Sequence, residues 1–184
     1  LITNQALDTL LVDTSYLSHA GSSFALNTYL KDYDYNLYIP QSYDGTKPFA
    51  LITFINAGNA GTIWPAWFPV LEQKNIIVIA GNNIGNAVNV PIRMGVALAG
   101  AHALSKELNI DPNRIYTSGN SGGGRTASVL MYLFPELFKG MIPNCGSAYL
   151  RQVDQDYETH QPNSHYEYIF PFSQSELEYV HSFN

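Results

Sequence analysis

Residues 115–134 read IYTSGNSGGGRTASVLMYLF. A short apolar run meets Gly-Asn-Ser-Gly-Gly-Gly, and a second apolar run follows at once. The stretch 114–119 has the length and composition of a buried strand. The run 123–134 is long enough for a helix, and Pro135 ends it. Between them, Gly119-Asn120-Ser121-Gly122-Gly123 fits G-x-S-x-G in the strand–turn–helix setting that the pattern requires. A serine at so tight a corner sits in strained backbone, so its neighbours need almost no side chain. Gly119 and Gly123 let strand and helix approach closely, and Gly124 serves packing. The turn lifts the Ser121 hydroxyl above the carboxyl end of the strand, where open α/β sheets bind ligands. Ser121 is therefore the candidate nucleophile. The Gly122 N–H, at the start of the helix, is placed to bind a developing oxyanion. Such a corner can also be an inert turn or a phosphate loop. The G-x-G-x-x-G fingerprint and the Lys-Ser/Thr of a P-loop are both absent.

Outward from this corner the same alternation repeats. Residues 49–56, 75–81 and 140–146 are apolar runs expected as buried strands, with a fifth strand at 166–170. Helices are expected over 65–74, with Pro65 in the first turn, and over 92–108. In the second of these Val96, Gly100, Ala103, Leu104 and Leu108 keep helical spacing. Residues 24–30 and 35–40 read as antiparallel-type strands, and SYDGTKP and IDPNR as turns. The stretch 151–165 is polar and loop-like, and SELEYVHSF can open a helix. Buried strands alternating with helices imply an α/β fold whose mostly parallel sheet is flanked by helices.

The chain has 184 residues, enough for one domain with a sizeable core. We read 1–184 as a single domain whose first 21 residues are weakly patterned. Apolar residues make up 46% and charged residues 13%, which argues against disorder. A net charge of −6 with no Lys/Arg run argues against nucleic acid and against an anionic membrane surface. No apolar stretch reaches the ~18 residues of a membrane helix. Cys145 is the lone cysteine, so neither an intrachain disulfide nor a cysteine-based metal site is expected. The start at Leu1 reads as a trimmed or processed end. The many Tyr and Asn and few Lys suggest an extracellular or periplasmic protein.

The blocks YNLYIPQSYDGTKPFALITFINAG and LNIDPNRIYTSGNSGGGRTASVLMYLFPELFKGMIP resemble the α/β-hydrolase serine esterases near polyhydroxybutyrate depolymerases and feruloyl esterases. The resemblance covers about residues 35–146 and is most specific over 110–124. It implies an α/β-hydrolase fold and hydrolysis of a carboxylic ester through an acyl-enzyme on Ser121. It also implies Gly122 as one oxyanion donor, and no metal or organic cofactor. The substrate would be a small or polymeric ester. The second donor should come from the loop after the strand 49–56, at Gly58 or Asn59. The family usually carries His-Gly there, where this chain has Asn56-Ala57.

The rest of a triad is harder to find. In this fold the order is Ser, then Asp/Glu, then His. After Ser121 stand His160, His165 and His181, with carboxylates that include Glu136, Asp154, Asp156, Glu158, Glu167, Glu176 and Glu178. Asp154 and Asp156 lie close to His160 and His165 in one polar stretch, whereas the fold draws its acid and base from two separate loops. Glu176 falls nearest the expected acid position. His181 follows it by five residues, which on a helix turns it to another face. No base histidine is assigned. His19 and His102 precede the elbow and read as surface or structural residues.

The expectation is that the chain stops before the last strand and its histidine loop. A missing C-terminal segment or self-association would then complete the sheet, because an unpaired edge invites pairing. Trp64, Trp67 and Phe68 either line an aromatic pocket or simply pack. Two functions follow: a serine carboxylesterase, or a non-catalytic hydrolase-like binding or structural module lacking a full triad. Peptidase or acyltransferase chemistry uses the same corner.

Overall fold

In the computed structural model residues 33–88, 90–146, 152–155 and 162–167 are described. The apolar runs form the strands that their composition predicts. Strand β1 is Tyr35–Tyr38, β2 Phe49–Ile55, β3 Ile76–Gly81, β4 Ile110–Asn120 and β5 Gly140–Asn144. They build one sheet in the order β1-β3-β2-β4-β5. β1 pairs antiparallel with β3, and the remaining pairs are parallel. The antiparallel strand is at the edge, where one solvated side is tolerated.

Among the described residues three helices cover the sheet. A 3-10 turn at Pro65–Trp67 leads into α1, Phe68–Lys74, which Asn75 closes in left-handed backbone (φ 54°, ψ 60°). Helix α2 is Val90–Glu107 and α3 is Gly122–Leu133. The larger core joins Leu51, Ile55, Ile77, Ile79 and Ile115 to residues of α2 and α3. The smaller one joins Phe54, Leu71, Val78 and Ala80 on the face that carries α1. Alternation along each strand thus serves both faces. Helix α2 keeps the apolar stripe read from its sequence, but burial extends around it: every residue from Arg93 to Ala101 is buried.

β2 has β3 on one side and β4 on the other, so the chain changes direction across the sheet after β3. In open α/β sheets such a switch point opens a crevice at the carboxyl ends of the strands. The loops after β2, β3 and β4 meet there.

Three sequence expectations change. The IDPNR turn is built into β4: its register jumps from Phe49↔Ile110 to Leu51↔Ile115, and the Asn113 N–H donates to Asp111 Oδ1 at 2.9 Å. A bulge lets the strand hold an extra turn without ending. The polar stretch 151–165 is not wholly loop, since Gln152–Gln155 (β6) and Pro162–Glu167 (β7) form an antiparallel pair. Backbone pairing does not require apolar side chains, so polarity alone hid these strands. Of the strand expected at 166–170 only 166–167 are described, and they belong to β7, which pairs with β6 in a separate two-stranded sheet. The strand expected at 24–30 and the helix expected in SELEYVHSF lie outside the described residues.

Candidate active site

β4 ends at Asn120 and α3 begins at Gly122, so Ser121 alone makes the corner. Its backbone has φ 50° and ψ −121°, a region costly for a residue with a side chain. Its side chain is exposed. The surrounding glycines answer a steric demand. A Cβ on Gly123 would strike the Ile55 carbonyl, and one on Gly119 would meet that same oxygen at 2.6 Å and the Gly123 carbonyl as well. A Cβ on Gly146 would run into the Ser121 carbonyl. The Ser121 N–H is tied to the Asn144 carbonyl of β5 at 2.8 Å. The strained conformation is therefore fixed from both neighbouring strands.

The loop 56–61 lies against this corner. The Ala57 N–H donates to Asn120 Oδ1 at 2.9 Å, which joins the residue before Ser121 to the loop after β2. Asn56, itself buried, donates from Nδ2 to the Ala60 carbonyl at 2.8 Å. The Gly58 N–H reaches Asn56 Oδ1 at a long 3.4 Å. Among the described residues no acceptor meets the N–H of Asn59 or of Gly122. For Gly122 this follows from its place in the first helical turn, whose N–H groups have no intrahelical partner.

The loop after β3 completes the rim. The Asn83 N–H donates to the Asn59 carbonyl at 2.6 Å, and the Asn86 N–H to the Ala57 carbonyl at 2.8 Å. Asn59 Oδ1 accepts from the Gly85 N–H at 3.1 Å, and Asn82 Oδ1 from the Gly61 N–H at 2.7 Å. The Asn86 side chain stands over Gly122, where its Cγ would lie 2.8 Å from a Cβ built on that glycine.

Beneath the rim is Arg93, 2% exposed. Its Nε donates to the Ile84 carbonyl at 2.8 Å, Nη2 to the Asn56 carbonyl at 3.0 Å and Nη1 to the Gly122 carbonyl at 3.2 Å. One carbonyl comes from each of the three loops. Burial draws its pKa down, yet a guanidinium stays charged at neutral pH. Among the described residues no carboxylate pairs with it. The sequence reading missed Arg93; its signal was a lone basic residue in the otherwise apolar start of a helix.

The sequence-predicted donors Gly122, Gly58 and Asn59 are thus brought to one rim with Ser121. The predicted acid Glu176 lies outside the described residues, as do His19, His160, His181, Asp156, Glu158 and Glu178. Of His165, Asp154 and Glu167 only the backbone is described. His102 is half-buried on α2, nine residues beyond Arg93 and so about 14 Å down the helix axis from the rim. Trp64 and Trp67 pack edge-on against Phe54 (5.5 and 5.1 Å between ring centres), and Phe68 stacks on Tyr38 at 4.2 Å. Packing accounts for all three. No helix among the described residues is long and apolar enough to cross a membrane.

Residues 97–182 match the prolyl oligopeptidase family. A poly(3-hydroxybutyrate) depolymerase of Ralstonia pickettii is 30% identical over 106 residues, a match covering 50% of this chain and 21% of that protein. Among solved structures, a thermostable esterase superposes with a TM-score of 0.53 at 24% identity, covering 64% of this chain and 38% of its own. An acetyl xylan esterase from Aspergillus awamori gives a TM-score of 0.50 at 17% identity, covering 70% of this chain and 54% of its own. The chain thus spans about a fifth of the depolymerase and about two-fifths of the thermostable esterase. With its sheet order, its serine corner and these likenesses, the chain has the α/β-hydrolase fold and is similar to esterases of that fold.

Proposed function

We propose that Ser121 is the nucleophile of a serine hydrolase that cleaves a carboxylic ester. The observation that carries this reading is the exposed Ser121 side chain on strained backbone, between a strand end and a helix start. A residue held at that cost serves chemistry more readily than packing. In the proposed reaction Ser121 Oγ attacks the ester carbonyl and loses its proton to a base. The carbonyl oxygen becomes an oxyanion held by the N–H groups of Gly122 and of Asn59 or Gly58. Collapse expels the alcohol and leaves an acyl-enzyme, which water then hydrolyses to the acid and free Ser121. Asn59 is the better second donor, because the Gly58 N–H already faces Asn56 Oδ1.

The base must lie beyond the described side chains, since His102 is too far down its helix to reach Ser121. Its candidates are His160, His165, His181, a further segment or a second copy, with Glu176 a candidate acid. The prolyl oligopeptidase match favours a second substrate class, in which the same corner attacks a peptide bond.

The test is labelling with a fluorophosphonate probe together with turnover of p-nitrophenyl esters and of a peptide anilide. Labelling and ester turnover are expected, both lost in Ser121→Ala. Turnover of the anilide alone would move the substrate class to peptides. A folded protein that neither labels nor turns over would be a non-catalytic module.

A further inference from the structure

We propose that Arg93 is the positioning residue of the oxyanion pocket: its guanidinium clamps the three loops that form the rim and sets the separation of the two donor N–H groups. The proposal rests on the serine-hydrolase reading for its consequence in catalysis, but not for the clamp itself. The fork geometry makes a three-way clamp possible. A planar guanidinium directs its N–H groups at fixed angles, and here they meet the carbonyls of Ile84, Asn56 and Gly122 at 2.8, 3.0 and 3.2 Å. Asn56 opens the loop that carries Gly58 and Asn59. Gly122 is itself the other donor residue, and its carbonyl is gripped while its N–H is left to face the rim. Ile84 belongs to the loop whose Asn83, Gly85 and Asn86 N–H groups bind the loop 56–61. Moving any one loop therefore strains the same side chain.

All three acceptors are neutral. A buried guanidinium usually meets a carboxylate, which would cancel its charge. Among the described residues none does so here, which leaves the charge of this buried guanidinium to act on an anion that forms nearby. Lysine cannot replace it: an ammonium is a point charge on a flexible stem and lacks the planar fork.

The experiment uses the whole chain with Arg93→Lys, Arg93→Met and the control Arg114→Lys, whose wild-type guanidinium grips the Lys74 carbonyl at 2.9 Å, away from the rim. Hydrogen–deuterium exchange is read first. Both Arg93 variants should exchange faster in residues 56–61 and 120–124 together, with β2 and β3 unchanged. Unaltered exchange in either segment of a folded variant overturns the clamp. If neither variant folds, the wild-type protein still decides: the Arg93 Nε–H should show a slowly exchanging resonance, and rapid exchange with water overturns the proposal.

Ester turnover is read second. A pocket loosened by about 1 Å should lower kcat by ~10- to 100-fold with KM within ~2-fold, and added guanidinium should partly restore Arg93→Met. Arg114→Lys should match wild type. A rise in KM at unchanged kcat overturns the role in the pocket. An inactive wild type with the expected exchange result would sink the hydrolase reading and leave the clamp standing.

Discussion

The corner after β4 and the loop after β2 meet across a few ångströms, yet they are held by opposite means. At the corner close backbone contact does the holding: Gly119 and Gly123 have no side chain, so that two backbones can touch. In the loop side chains do the holding: Asn56, Asn59, Asn82 and Asn120 each accept or donate to a backbone group of residues 57–61 or of the facing loop. A corner fixed by contact cannot yield, whereas a loop fixed by hydrogen bonds gives way one bond at a time.

The sharpest break of this contrast is a methyl group. In Gly123→Ala the new Cβ collides with the Ile55 carbonyl, and backbone of a central strand cannot swing aside as a side-chain end can. Folded protein should be lost or its thermal midpoint should collapse. The same change at Gly58 meets nothing within 4 Å and no positive φ. Gly58→Ala should then stabilise by about 0.4–1 kcal/mol through the unfolded chain, and it keeps the backbone N–H. Circular dichroism melts of the two variants decide. Equal tolerance of both would mean that the corner is not fixed by contact.

A smaller effect separates holding from chemistry in the loop. Asn120→Ala leaves the Ala57 N–H without its acceptor, which should cost about 1–3 kcal/mol in urea denaturation. Asn120→Asp keeps an oxygen in place and should retain most of that stability. Its negative charge beside a developing oxyanion should still slow ester turnover. If Asn120→Asp is as active as wild type, the loop is far from the reacting oxygen.

This difference also explains what could be read from the chain. Steric demand leaves a mark, because only glycine answers it, so Gly119, Gly122 and Gly123 around Ser121 were legible as strand, corner and helix. The buried strands were legible as continuous apolar runs. Hydrogen-bonded stitching leaves almost none: the loop 56–61 reads as a source of backbone donors at Gly58 or Asn59, but nothing in it or in 82–86 says which backbone groups its asparagines hold, since an amide side chain can bond in any direction. Arg93 was missed for the same reason. Its three partners are backbone carbonyls, which every residue possesses, so no motif records them. β6 and β7 went unread because their pairing is carried by backbone in a polar stretch.

The smallest expected effect tests whether stitching by neutral amides differs from anchoring by charge. Away from the rim Glu72 accepts from the Tyr38 hydroxyl at 2.6 Å and from the Gln41 N–H at 2.9 Å. The Tyr38 bond, followed by that of Gln41, holds the Glu72 carboxyl below its ordinary value of 4.5. The same hydrogen bond to Glu72 pushes Tyr38 up to about 12. A carboxylate whose folded pKa is depressed stabilises fully above the unfolded value and loses that contribution as pH falls through the folded one. The raised tyrosine adds the mirror image, present below its ordinary 10.0 and lost towards about 12. Wild type should therefore melt slightly above Glu72→Gln at neutral pH, with the gap closing below pH 4.5 and again above pH 10. Asn56→Ala should instead show a deficit in melting temperature that does not change with pH across the same range, because an amide carries no proton equilibrium there. A pH-dependent deficit for Asn56→Ala would mean that an ionising group also holds the loop.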